Sequence, residues 1–391
     1  MNNSIFFIMN KLIRISTVAM SLDFLLKGQL AYLKKKYNVI AVSGHDEHLK
    51  KVELREGVHV VDIPMQRSIS PLQDLKSLWQ LYWLLKKEKP LIVHSITPKA
   101  GLLSMIAAYF ASVPIRVHTF TGLIFPTKSG FMKQLLILMD KILCICATNI
   151  YPEGQGVRND LIKYKITSKK LQVIANGNVN GIDTNYYDSN LISYQEKQNL
   201  RTELKIDLND FVFIFVGRLV GDKGINELVK AFKNVLLENE NAKLLLVGSF
   251  EEDLDPLTIE TKQEITTNDK IISVGFQNDV KSYFAISNVL VFPSYREGFP
   301  NVVMQAGAMG LPCIVTNING SNEIIIEGEN GIIIPVKNAN AIYISMNNMI
   351  KDNILRTHLM QNARQMIVAR YEQEVVWRAI LAEYEKLEQY V

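Results

Sequence analysis

Arg218 and Lys223 lie in FIFVGRLVGDKGINELVKAF (Phe213–Phe232), where an apolar run ends at Gly217, a turn carries Gly221 and Gly224, and a helical pattern begins. Two cations at a strand–loop–helix junction, beside the amides of a helix start, suit a diphosphate. A second junction, YREGFPNVVMQAGAMGLP (Tyr295–Pro312), follows the apolar run Val289–Phe292. Glu297 can accept hydrogen bonds from ligand hydroxyls. Gly298 lets backbone come close to a ligand, and Pro300 suits the first turn of a helix, where its missing N–H costs nothing. The amides of the Phe299–Val303 region, including Asn301 and Val302, then face an anion or a polar ligand. Gln305, eight residues beyond Glu297, offers both a donor and an acceptor. In the first half, His118 (VHTFTGL) and His94 (IVHSITPKAG) each stand at a strand end, where an imidazole can meet a sugar or phosphate oxygen. Lys99, in the second of these segments, is a further cleft candidate. Plainer readings stand beside these: solvated loop cations, an acid complementing a helix dipole, a helix-surface amide and structural histidines.

These residues need a scaffold that places them at strand ends. Short apolar runs alternate with amphipathic helical stretches throughout, so the pattern predicts α/β architecture with parallel sheets covered on both faces. First-half strands are expected at 12–17, 39–42, 58–63, 91–95, 115–119, 149–151 and 171–174, with helices at 25–36, 71–87, 99–111 and 130–147. Second-half strands are expected at 211–217, 243–248, 271–274, 289–292, 313–316 and 331–334. Helices there are expected at 225–240, 280–286, 302–309, 339–351, 355–370 and 373–390. The polar stretch Asp183–Asn199 is read as a linker. The product is two doubly wound, Rossmann-like domains facing each other across a cleft, with ligands outside the carboxyl ends of the strands.

The length of 391 residues is too great for one ordinary core. No run of 18 apolar residues suggests a membrane-spanning helix. The opening MNNSIFFIMN lacks a basic head and makes a poor signal peptide, and Met9 is an alternative start. Cys144, Cys146 and Cys313 have no metal-ligand spacing and read as buried thiols of a reducing cytosol. Charge is uneven: residues 1–188 carry 24 Lys and Arg against 13 Asp and Glu, and the remainder 19 against 26. The basic first half points to an anionic partner such as a membrane surface or a phosphorylated substrate, not to nucleic acid. The stretch Phe131–Ala147 is a candidate amphipathic membrane surface. No Walker loop and no GxSxG elbow occur, and the DLD at Asp253–Asp255 reads as a solvated acidic loop.

Taken together, VGRL…DKG, REGFPNVV, NGxxNGID, SGHDEHL, TPKAGLL and HTFTGLIFPT resemble the retaining glycosyltransferases of family 4, which have the GT-B fold. The similarity spans nearly the whole chain, and the first half looks closest to bacterial capsular or O-antigen polysaccharide glycosyltransferases with lipid-linked acceptors. The resemblance implies an acceptor-binding domain at 1–188, a nucleotide-sugar domain at 189–372, and a last helix, 373–391, crossing back to the first domain. It implies that Gly217, Arg218 and Lys223 hold the donor diphosphate. Glu297, the first acid of the family's E-x7-E motif, would contact donor sugar hydroxyls, and Gly298, Phe299, Pro300, Asn301 and Val302 would supply the loop that meets sugar and phosphate. Gln305 stands where the second acid binds ribose, and loses the charge-assisted part of that contact. His118 matches the family's cleft histidine. The family's Gly-Gly loop after the first strand is replaced by STVAMSLDFLLKGQ, which leaves Lys27, Gly28 and Gln29 as candidates to cover the phosphates.

The expected reaction is transfer of a sugar from a UDP-sugar to a hydroxyl of a lipid-linked saccharide, without a metal or other cofactor and with retention of configuration. The resemblance implies that the leaving phosphate takes the acceptor proton on the same face. The expected location is the cytoplasm, peripherally on the inner face of the cell membrane. Two alternatives remain: a nucleotide-sugar 2-epimerase on the same architecture, and a non-catalytic nucleotide-sugar-binding subunit.

Overall fold

The computed structural model describes residues 9–66, 70–251 and 255–391. The opening residues 1–8 and Asp253 of the DLD stretch lie outside them. The chain forms two compact units. One runs to Gly181 and takes up the chain again over Gln373–Val391; the other is Ile182–Glu372.

In the first unit the order is β1 (Lys11–Val18), α1 (Ala19–Leu25), α2 (Gln29–Leu33), β2 (Asn38–Gly44), α3 (Glu47–Glu56), β3 (His59–Asp62) and α4 (Pro71–Glu88). It continues with β4 (Ile92–Ser95), α5 (Pro98–Phe110), β5 (Ile115–Phe120), α6 (Gly130–Cys146), β6 (Asn149–Pro152) and α7 (Gln155–Lys163). The six strands pair in the order β3-β2-β1-β4-β5-β6, all parallel. Both sheet faces are covered, which is why the strands read as nearly unbroken apolar runs. One face packs Leu81 and Leu85 of α4, Leu103 of α5 and Leu143 of α6. The other packs Leu22, Leu30 and Leu49 with residues of the last helix of the chain.

The second unit holds α8 (Tyr194–Glu203), β7 (Phe211–Val216), α9 (Ile225–Leu236), β8 (Ala242–Val247), α10 (Ile259–Thr267), β9 (Ile271–Ser273), α11 (Lys281–Ala285) and β10 (Val289–Phe292). Then come α12 (Asn301–Ala308), β11 (Cys313–Thr316), α13 (Ser321–Ile324), β12 (Gly331–Ile334), α14 (Ala339–Lys351) and α15 (Asn353–Tyr371). Its sheet order, β12-β11-β10-β7-β8-β9, is the first unit's order repeated. The final helix, α16 (Gln373–Glu388), belongs to the first unit. It buries Val376, Ile380, Tyr384 and Leu387, spaced to form one face. Each such buried large apolar side chain contributes roughly 1.5–3 kcal/mol.

Four expectations are corrected. The unit boundary falls after Gly181, earlier than 188. Ile182 N–H donates to Tyr371 O at 2.7 Å, and Arg364 clamps the carbonyls of Thr184 and Tyr187 at 2.9 and 2.7 Å, so this segment is tied into the second unit. The polar stretch to Asn199 is no linker: α8 starts within it on a capping box formed by Ser193 and Glu196. Leu171–Ile174 is not a strand; Leu171 makes only an isolated bridge to Ile150. The helix expected over Leu25–Lys36 is broken at Gly28, whose φ of 82° no helix interior allows.

Candidate functional site

The second sheet reverses its order between β7 and β10, which pair through Val289 with Phe213 and Leu290 with Ile214. In open α/β sheets the carboxyl ends of such a strand pair are where ligands bind. The loops that follow these two strands carry the residues singled out in the sequence. After β7, Arg218 leads into a single 3-10 turn, Gly221–Lys223, before α9. After β10, Pro293–Pro300 leads into α12, with Pro300 as the N-cap and Asn301 the first helical residue.

The two loops are joined. Lys223 Nζ bonds Glu297 Oε1, and Ser294 Oγ donates to the same oxygen at 2.8 Å. Lys223 also stands over the Phe292 ring, 5.9 Å from its centroid. Tyr295 N–H donates to Asp222 O at 2.8 Å, and Arg296 Nη2 meets Asp222 Oδ2 at 2.9 Å. Both members of the Lys223–Glu297 pair are largely but not fully buried, so the pair is shielded yet reachable. Arg218 is about half exposed and bonds Glu251 at 2.7 Å. The arrangement presents two cations and a hydroxyl-accepting carboxylate at one strand-end mouth.

The remaining second-unit candidates play narrower parts. Phe299 is buried, with its ring 5.5 Å from that of Tyr371, so only its backbone is placed for a ligand. Pro300 is not in the first turn but immediately before it. Val302 and Gln305 are half-buried on α12, and the Gln305 side chain hydrogen-bonds the Tyr187 hydroxyl.

Sequence reasoning missed three supports of the site. Gly320 packs against the Glu297 loop: a Cβ there would lie 2.4 Å from Gly298 O and 2.7 Å from Phe299 Cα, and its φ of 75° also requires glycine. A glycine just ahead of a short helix was the available signal. Asp255, read as solvated loop, holds the Arg218–Lys223 turn: its carbonyl accepts from Gly221 N–H at 2.9 Å and its carboxylate from Asp222 N–H at 2.5 Å. Ser294, which positions Glu297, carried no signal.

The first-unit candidates are not brought together as a ligand site. His118 is 1% exposed. Its Nδ1 bonds Ser95 Oγ at 2.8 Å, and its ring lies so close to Gly101 that a Cβ there would come within 2.4 Å of it. Burial drives its pKa down to about 3, so the imidazole is neutral. His94 is equally buried and held well below its usual range by burial and by the Arg14 charge. It bonds Tyr384 OH at 2.5 Å, Arg14 at 2.9 Å and Thr119 at 2.8 Å. These are structural histidines. Lys99 is bound to both Asp74 oxygens, at 2.7 and 2.9 Å. At Lys27–Gly28, Lys27 O accepts from Asn180 Nδ2 at 3.0 Å and Gly28 N–H donates to Glu56 at 2.9 Å. Gln29 is fully buried, donating to Val179 O at 2.8 Å. The three cysteines are buried.

Residues 196–366 match the family model of "Glycosyl transferases group 1", and residues 16–152 that of "Glycosyl transferase 4-like". The capsular polysaccharide biosynthesis glycosyltransferase CapM of Staphylococcus aureus is 35% identical over 376 residues, 96% of this chain and 96% of the relative. The chain belongs to the group 1 glycosyltransferases. A second relative is the Escherichia coli UDP-Gal:alpha-D-GlcNAc-diphosphoundecaprenol alpha-1,3-galactosyltransferase, 30% identical, covering 81% of this chain and 80% of its own. The crystal structure of Anabaena Alr3699/HepE with UDP and glucose matches at a TM-score of 0.82 and 18% identity, over 96% of this glycosyltransferase and all of that chain. That likeness establishes the GT-B fold. Among the described residues no helix is long and apolar enough to cross a membrane.

Proposed function

We propose that this glycosyltransferase moves a sugar, with retention and without a metal ion, from a UDP-sugar to a hydroxyl of a lipid-linked saccharide. It would do so at the cytoplasmic membrane face, in the synthesis of a cell-surface polysaccharide. The observation that carries the reading is the joining of the two switch-point loops through Lys223, Glu297 and Ser294, with Arg218 in the first of these loops, at the end of β7. The E. coli relative, whose name gives UDP-galactose and a diphosphoundecaprenol-linked sugar as substrates, supports the donor and acceptor classes.

In the reaction the bond from the anomeric carbon to the diphosphate oxygen breaks, and the acceptor oxygen bonds that carbon on the same face. The acceptor proton passes to the departing phosphate oxygen. Negative charge therefore builds on the diphosphate as the bond lengthens. Arg218 and Lys223 stabilise that charge more in the transition state than in the ground state. Glu297 accepts from sugar hydroxyls and fixes the ring, while Ser294 holds the carboxylate. Gln305 reaches ribose hydroxyls through its amide, with Tyr187 as its anchor.

The test is nucleotide release from UDP-, GDP- and ADP-sugars, with and without undecaprenyl-diphosphate-linked saccharides, in the presence of EDTA. Acceptor-dependent UDP release that collapses in Glu297→Ala supports the reading. Conversion of donor to an isomer without acceptor, or abolition by EDTA, overturns it.

A further inference from the structure

We infer that the outward face of α4 seats the first unit on an anionic lipid bilayer, an inference that rests on the proposed lipid-linked acceptor. α4 is apolar on both sides. Its inner side buries Leu81 and Leu85. Its outer side carries Leu72, 87% exposed, and Trp79, 64% exposed, with Leu75 and Trp83 exposed between and beyond them. These four recur at three- and four-residue spacing and so form one stripe. A helix packed on a globular surface is polar on its outer side; this one instead displays two tryptophans with rings 6.1 Å apart. Indole rings of this kind, apolar with one N–H, settle at the boundary between headgroups and acyl chains.

Charge selects the occupant. Lys76, Lys86 and Lys87 flank the stripe on the same helix. The helix's two acids are neutralised within the unit: Asp74 by Lys99 at 2.7 Å and Glu88 by Lys11 at 2.8 Å. The face therefore offers lysines to an anionic surface with no acid of its own set against it. The apolar character continues on α6, in the same helical layer, where Phe131 and Ile145 are exposed. An apolar stripe bordered by lysines matches an anionic bilayer, whereas a second copy of this face would set lysine against lysine.

The full-length protein is to be floated with vesicles of phosphatidylglycerol and cardiolipin, and separately with phosphatidylcholine. Tryptophan emission is followed with brominated acyl chains. Trp377 is anchored to Asn180 at 2.7 Å, and Trp377→Phe leaves only the two α4 reporters among the chain's three tryptophans. Binding to anionic vesicles only, bromine quenching in the Trp377→Phe protein, and at least a roughly tenfold loss of binding in Trp79→Glu/Trp83→Glu are expected. Flotation unchanged in the double variant, no flotation of the wild type, or concentration-dependent dimerisation lost in that variant overturns the inference. UDP binding separates the two ideas. A wild type that binds UDP but ignores vesicles refutes this surface and leaves the transferase reading standing. A wild type that floats but neither binds UDP nor turns over donor refutes the reading instead.

Discussion

The two units share one sheet order, yet they treat their strand ends in opposite ways. In the first unit the switch point lies between β1 and β4. Neutral hydroxyls close it: Thr17 and Thr97 bond each other at 2.8 Å, and Thr17 Oγ1 also accepts from Ala100 N–H at 3.2 Å. Three of its charged and ionisable strand residues, Arg14, His94 and His118, lie inside the unit and bond one another, Ser95 or α16. In the second unit the switch-point strands, β7 and β10, are wholly apolar, and Arg218, Lys223 and Glu297 stand in the loops beyond them. A buried imidazole locks packing, whereas a cation on a loop can exchange its partner for a ligand. The same topology thus carries a polar-stitched frame in one unit and, in the other, the loop charges proposed to meet the donor diphosphate.

The sharpest way to break this contrast is to remove Lys223. Lys223→Ala leaves Glu297 shielded and without its cation, facing an incoming diphosphate. Donor turnover should fall on the order of 10³-fold. Retention of most activity in a steady-state assay would remove the second unit's claim to the chemistry.

Acid should separate the units next. His118 has an ordinary pKa of 6.5 and a native value of about 3, and His94 is shifted the same way. Below pH 6.5 the unfolded chain takes up protons that the native first unit refuses. The stability these histidines contribute is complete above that pH and is lost as pH falls below it, for His118 down toward 3. The loss approaches ~1.4 kcal/mol per pH unit for each. The second unit's histidine, His358, is exposed. Amide exchange, corrected for intrinsic rates, should therefore accelerate in β4 and β5 before β10 and β11 between pH 7 and 5. The reverse order would contradict the assignment of buried neutral histidines.

Gln305→Glu should have the smallest effect, a change in donor KM below about tenfold, because Tyr187, which accepts from the Gln305 amide, can turn its hydroxyl to donate to a carboxylate. Activation of an otherwise silent protein by this change would instead favour a non-catalytic nucleotide-sugar-binding subunit.

Much of this was legible in the sequence because parallel strands covered on both faces are written as apolar runs. Val289–Phe292, Cys313–Thr316 and Gly331–Ile334 stand in the structure as expected. Helices with a thin apolar stripe were not legible: α3 buries only Leu49, Val52 and Glu56, and α7 only Val157 and Leu161. Arg218, Lys223 and Glu297 stood out because unlike charges in glycine-rich strand-end loops are conspicuous, and the structure brings Lys223 and Glu297 into contact. The misreading of His118 and His94 has a plain cause. A strand end looks the same in sequence whether its side chain faces a ligand or, as here, a helix that presses Gly101 onto the ring. Asp255 and Gly320 act across sequence distance, through a bond and a close approach that no local pattern records, and Ser294, three residues before Glu297, looks like any other loop serine.

The central claim is that the loops after β7 and β10 hold the donor diphosphate. Calorimetric titration of UDP into the full-length wild type, Arg218→Ala, Lys223→Ala and Lys99→Ala tests it most directly. The account predicts that affinity falls roughly tenfold or more in the first two variants, about 1.4 kcal/mol or more for each lost charge-assisted contact. It predicts no change in Lys99→Ala, whose lysine serves Asp74. UDP binding that survives both loop substitutions, or that disappears with Lys99, would contradict it.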